Sequence, residues 1–306
     1  MPNPLTPSQN CPEILWHYTN IDAVINIMKT KTIRATHVAF LNDASEIIKG
    51  TELVLDIFKK KISLLPDKEL FQKVVDSIEK IQSSPSLVGY YIISLTEDSD
   101  SATQWQAYTP SEGGCAIGFN SSILVKAFSG LADVSRYKDS DILWFGHMPF
   151  VPLCQCLYTT EKQPDTIRDK ICEIANNLIK GLSISRTLSN DGSSFDHCYV
   201  DAHDWDFITC IIGVKHQCFE QEHEWRLVYL KPYNEDIKYD LKQRPYIELK
   251  IDSSCLCNVI SEIKISPRGN RQETRKKLEF LLDDIWRTND IKGEKTIISE
   301  SDLPLR

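Results

Sequence analysis

The 306-residue chain is 42% apolar and 25% charged, the balance of a globular protein with a sizeable core, and it carries a formal net charge of −8. That acidity argues against a general nucleic-acid coat, which needs clustered Lys and Arg, but leaves room for one small anion in a local basic pocket. No apolar run is long enough to cross a bilayer, and ten cysteines in a chain this large read as thiols of a reducing, cytoplasmic compartment.

The opening Met1-Pro2-Asn3-Pro4-Leu5-Thr6-Pro7 lacks the basic and apolar regions of a signal peptide and reads as part of a disordered lead-in over residues 1–12. Leu15 to Thr19 is the first strand. Asn20 then caps a helix whose apolar positions Ile21, Val24, Ile25 and Met28 recur at helical spacing. His17, at the end of that strand, is either a satisfied structural histidine or a ligand-binding side chain. Ile33 to Ala35 is a second short strand holding Arg34. Asp43 and Glu46 form a capping-box pair that opens a helix to about Leu65, and Pro66-Asp67 starts another. These two helices read as an insertion over residues 45–83.

Val88 to Thr96 is the clearest strand of the first half, and alternation puts the hydroxyls of Ser94 and Thr96 on one face. A loop and helical turn follow, with Trp105 and Tyr108 three apart on one helix face, either as core or as an aromatic wall for a flat ring. Gly113-Gly114 precedes the strand Cys115 to Phe119. The middle is less informative: strand-like runs from Leu143 to Tyr158, a helix capped by Asp165, a polar loop from Ser183 to His197, and a helix from about Asp201 to His216. The span 160–216 is read as a second helical insertion. Cys154 with Cys156 and Cys255 with Cys257 are each separated by one residue, closer than zinc ligands usually are. They are expected to be buried thiols, and no metal is expected.

Trp225 to Leu230 reads as a strand. On alternation alone, Glu222, Glu224 and Arg226 point one way, and His223, Trp225 and Leu227 the other. If the acidic face is covered, each charge must be paired and the second carboxylate's pKa should rise. The bland alternative is a solvated strand face. Pro245 to Ile251 and Val259 to Ile265 are further strands. Arg268 and Arg271 flank a helix start that is either an ordinary cap or a phosphate site. The simplest fold is one α+β domain over residues 1–306 with these insertions.

His17-Tyr18-Thr19, Asn42-Asp43 with Glu46, Trp105 with Tyr108, Gly118-Phe119, Glu222-His223-Glu224-Trp225-Arg226 and Ser301-Asp302-Leu303-Pro304 occur in this order. In this the chain resembles a widespread bacterial family of unknown function. A second resemblance, to the ADP-ribosyltransferase superfamily, rests on three short strands: His17 with Thr19, Ser94 with Thr96, and Glu222 with Glu224. The toxin-like branch has Arg where this chain has His17.

This second resemblance implies an α+β core with a split or strongly bent mixed sheet that binds NAD as substrate. It implies an ADP-ribosyltransferase or NAD glycohydrolase, in a bacterial toxin or phage-defence effector. Glu224 would stabilise the oxocarbenium-like centre while hydrogen-bonding a ribose hydroxyl, and Glu222 would serve as general base toward the acceptor. His17 and Thr19 would hold the adenosine-side ribose, with Tyr18 between them a further NAD-binding residue, and Ser94 and Thr96 would hold Glu224. Trp105 or Tyr108 would stack on nicotinamide, and Arg34 or Arg226 would pair with pyrophosphate. The acceptor (protein, nucleic acid or water) stays open. Two other classes compete: a nucleotide or small-anion sensor without turnover, and a metal-dependent nuclease or phosphoesterase using Asp43, Glu46, Glu222 and Glu224.

Overall fold

The computed structural model describes residues 11–41, 45–62, 72, 75–76, 79, 89–129, 150–159, 169, 172–173, 212–230, 236–251, 256–289 and 296–304. Strand β1 (Ile14–Thr19) leads into α1 (Ile21–Thr30), whose first turn is closed by the Asn20 side chain accepting from the Ala23 amide at 2.7 Å. Strand β2 (Thr32–His37) and helix α2 (Ser45–Ile62) follow. Strand β3 (Tyr90–Thr96), helix α3 (Ala102–Tyr108), strand β4 (Cys115–Asn120) and helix α4 (Ser121–Ser129) form the centre. Next come β5 (Phe150–Gln155), β6 (Leu157–Thr159), β7 (Val214–His216) and β8 (Glu224–Leu230). The chain closes with β9 (Lys238–Tyr239), β10 (Pro245–Lys250), β11 (Ile260–Ile265), α5 (Arg271–Asn289) and β12 (Ile297–Glu300).

Ten strands make one open, mixed sheet, in the order β12-β11-β4-β1-β3-β2-β10-β9, with β8 also on β3 and β5 on β8. The β11–β12 pair is parallel and the others in this sheet are antiparallel. β8 pairs with β3 along its whole length, from Tyr90↔Leu230 to Thr96↔Glu224. The other edge of β3 is therefore shared: β2 takes it at Tyr91 and Ile92, and β1 takes it only at Thr96, opposite Trp16. The sheet forks between those two contacts.

One face of the sheet carries the main core, where Leu15, Ile93, Leu95, Trp225 and Leu227 pack with Val24 and Met28 of α1 and Leu278 and Leu281 of α5. Burial of such side chains, roughly 1.5–3 kcal/mol each, is what holds α1 and α5 to the strands. The opposite face carries a smaller cluster of Trp16, Tyr18, Trp105 and Ala116.

Three expectations change. Residues 214–216, expected as the end of a helix, form β7, which pairs in parallel with β6. Cys11 and Pro12, expected in a disordered lead-in, are tied down: Cys11 packs at the core edge, and Ser121 Oγ donates to the Pro12 carbonyl at 2.6 Å. Glu222 belongs to a 3-10 turn (Gln217–Glu222), and β8 starts only at Glu224, after His223 in the left-handed region at φ 40°. Asn42 and Asp43, the Glu46 side chain, most of the helix expected after Pro66 and most of the span 160–211 lie outside the described residues.

Candidate functional site

The fork opens on a cavity of about 300 Å³, lined from β1 by His17, from β2 by Arg34, from β3 by Ser94 and Thr96, and from β8 by Glu224 and Arg226. Its volume is at the lower end of the roughly 300–1,000 Å³ of small-molecule sites. Gln104 and Tyr108 of α3, together with Lys215 and Glu222, complete its acidic end, and Arg244 also lines the cavity. Nine of the eleven residues expected at a site thus meet here; Thr19 and Trp105 are absent from its lining.

His17 occupies the break between β1 and β3, where its Nδ1 lies 3.0 Å from the Ser94 carbonyl oxygen. A carbonyl only accepts, so Nδ1 carries the proton of the neutral ring and Nε2 keeps its lone pair. Desolvation pulls the imidazole pKa down, against the raising effect of the Ser94 bond, which keeps the ring neutral at neutral pH.

At the acidic end, Lys215 Nζ donates to Glu222 Oε2 at 2.6 Å and to Glu224 Oε2 at 2.7 Å. Arg226 grips Glu224 with both ends of its fork, Nε to Oε1 at 3.0 Å and Nη2 to Oε2 at 2.9 Å, while Nη1 donates to the Ile212 carbonyl. All four charged side chains are buried, and among the described residues two cations face two carboxylates. Burial alone would raise the Glu224 pKa, but Arg226 and Lys215 override it and bring it down to about 2. The rise expected from alternation is therefore corrected for Glu224. The row Glu222, Glu224, Arg226 was read from the sequence; the lysine that pairs with both glutamates was overlooked. The Cys156 thiol also approaches Glu224 Oε2, at 3.7 Å.

Ser94 and Thr96 line the cavity, but no hydrogen bond from either hydroxyl to Glu224 is present among the described residues. Thr96 Oγ1 donates instead to the Glu222 carbonyl at 2.7 Å, and Gln104 Nε2 donates to the same oxygen at 3.2 Å. They hold the turn carrying Glu222. Tyr108 donates to Glu222 Oε1 at 3.0 Å, and burial, with the Glu222 charge next in size, pushes its phenol pKa up to about 12.

The tyrosine next to His17 is structural at its tip. Tyr18 Oη donates to the Asp98 carbonyl at 2.8 Å and its ring meets Trp105 edge-on, with centroids 4.6 Å apart. Trp105 is fully buried and donates its indole N–H to Asp100 at 2.7 Å, so it is core and not a nicotinamide wall. Asp100 also accepts from Ser301 Oγ at 2.6 Å and from the Asp302 amide at 2.9 Å, which explains the closing Ser301-Asp302-Leu303-Pro304 motif as a strap on α3. Burial opposes ionisation of Asp100, but these donors hold its pKa below the ordinary range. Asp100→Ala is expected to lower stability by about 2 kcal/mol, read as a drop in melting temperature; a variant that melts with the wild type would show the strap to be idle.

Arg268 and Arg271 do not form a free phosphate site. Arg268 donates to the carbonyls of Trp105 and Thr109, and Arg271 to those of Ser301 and Pro267. Among the described residues no group of three or more His, Cys, Asp or Glu is placed to hold a metal, and no helix is long and apolar enough to cross a membrane.

Among the lining residues, sequence reasoning missed Gln104, Arg244 and, at the centre of the charge cluster, Lys215. The available signal was a charge at the end of the apolar run Ile211-Ile212-Gly213-Val214. A lysine so placed needs a buried partner.

Residues 104–227 match a family described as "Protein of unknown function (DUF2971)". The matched stretch runs from Gln104 past Arg226 and holds Tyr108, Lys215 and both glutamates, while His17, Arg34 and Ser94 precede it. No curated protein and no solved structure matches the chain.

Proposed function

We propose that the protein cleaves the nicotinamide–ribose bond of NAD, as an ADP-ribosyltransferase or NAD glycohydrolase. The observation that carries this reading is the fork: an imidazole from β1, a hydroxyl from β3 and an acid from β8 line one cavity. The ionisation of Glu224 supports the same reaction class. Nicotinamide leaves NAD as a neutral base, so the bond breaks without a proton donor, and positive charge moves from the pyridinium ring to ribose C1′. A carboxylate held ionised near C1′ stabilises that charge. Hydrolysis of an ordinary O-glycoside would instead need a protonated acid, and Glu224, with a pKa near 2, is the wrong group for that.

In this reading Glu224 supplies fixed negative charge, with Oε1 the less crowded oxygen for a ribose hydroxyl. Tyr108 forms the wall beside nicotinamide. His17 accepts a ribose hydroxyl at Nε2, and Arg34, stacked over the Tyr246 ring at 4.5 Å, faces the phosphates. Incubation with NAD is expected to release nicotinamide; none at all would end the reading. His17→Ala is expected to raise KM about 3–10-fold, the worth of one net hydrogen bond, with kcat little changed.

A second reading, a sensor of nucleotides or small anions, is favoured by the charges on the cavity lining, where among the described residues four cations face two glutamates. It predicts thermal stabilisation by the nucleotide without product. The metal-dependent reading loses ground on geometry, because Lys215 Nζ occupies the bridging position between Glu222 and Glu224 that a cation would need.

A further inference from the structure

We infer that the site delivers the ADP-ribosyl group to water and not to a macromolecule, making the protein a hydrolase of NAD. The inference rests on the N-glycosidic reading above and decides the acceptor, which that reading leaves open.

An acceptor side chain or base must reach ribose C1′ and bring its own proton to a carboxylate. Here the carboxylate assigned to that task is the first of the pair, Glu222. It is 8% exposed, Glu224 is 5% exposed, and the lysine joining them is 6% exposed. Both of its oxygens already accept from the protein, Oε1 from Tyr108 and Oε2 from Lys215. Each carboxylate oxygen has about two acceptor sites, so one remains on each, enough for a water molecule. The turn that presents Glu222 is fixed through its carbonyl by Thr96 and Gln104, so it is not poised to swing toward a docked partner. With the nicotinamide riboside end of NAD in a cavity of about 300 Å³, little of the described cavity is left for a second bulky group.

The step balances with water as co-reactant. The C1′–N bond breaks with its electron pair leaving on the nicotinamide nitrogen, water oxygen bonds to C1′, and the water proton passes to Glu222 and then to solvent. The products are ADP-ribose, neutral nicotinamide and one proton. An oxocarbenium-like centre is electrophilic enough that water attacks it with only a carboxylate oxygen at hand to take the proton.

The test uses the full chain with NAD labelled in its adenine ring, in ¹⁸O-water, with a cell lysate added as a source of protein and nucleic-acid acceptors. Expected are nicotinamide and free ADP-ribose in equal amounts, ¹⁸O in the ADP-ribose, and no label in acid-precipitable material. Nicotinamide in excess of ADP-ribose, with label in the precipitate, overturns the inference and leaves NAD cleavage standing. Absence of nicotinamide removes the NAD reading itself, and this inference with it.

Discussion

Lys215→Met is expected to destabilise the protein by about 3–5 kcal/mol, the usual penalty for removing one partner of a buried ion pair. The reason is charge balance. Lys215 and Arg226 offset Glu222 and Glu224, and all four are buried. Without the lysine, the described residues of the cluster carry two negative charges against one positive, and methionine brings no donor to the two oxygens that Nζ reached at 2.6 and 2.7 Å. The cation also lies 4.9 Å from the centre of the Phe219 ring, and a neutral thioether does not reproduce that charge–ring attraction. Adding Glu222→Gln to Lys215→Met leaves Glu224 balanced by Arg226, and most of the stability should return. Urea unfolding at neutral pH checks both. A single variant within about 1 kcal/mol of wild type, or a double variant no better than the single, would show that charge balance does not govern this cluster.

Glu224→Gln is expected to reduce nicotinamide release by about 10²–10³-fold, the range seen when one electrostatic stabiliser of a transition state is lost. Release that survives undiminished would remove Glu224 from the mechanism. The same substitution should change the acid limb of stability. The carboxyl pKa falls from 4.5 to about 2 on folding. The folded value lies below the unfolded one, so this group's contribution is complete above about pH 4.5 and is lost as pH falls toward 2. At about 1.4 kcal/mol per unit this is on the order of 3 kcal/mol from a single side chain. Urea midpoints taken from neutral pH down to about pH 2 should therefore fall less steeply in Glu224→Gln than in wild type. Parallel curves would mean that Arg226 and Lys215 do not hold the carboxylate as the geometry implies.

The outcome for α3 separates local from non-local information. Trp105 and Tyr108 share a helix face by their spacing, as expected, yet their surroundings assign them opposite roles. Trp105 turns its indole N–H to Asp100 under the C-terminal strap, and Tyr108 reaches Glu222. The spacing of three carries no information about what lies beyond each ring, because the strap and the 3-10 turn arrive from residues 301 and 222. Tyr18 and Thr19 show the same limit: they follow His17 on β1, but Tyr18 is bonded to the Asp98–Ser101 loop and Thr19 lies outside the cavity lining.

By itself the sequence determined what short-range physics controls: the Asn20 cap and amphipathic α1, the alternation that puts Ser94 with Thr96 and Glu224 with Arg226 on shared faces, and an acidic pair beside a cation. Each rests on contacts within a few residues, where helical and strand periods are fixed by backbone geometry. Only the tertiary structure decided that β1 and β2 divide one edge of β3, that His17 occupies the opening, and that Lys215 neutralises both glutamates. Those outcomes depend on which strands pair across long stretches of chain and on the low-dielectric burial that forces every charge to find a partner, and neither is encoded in any local pattern.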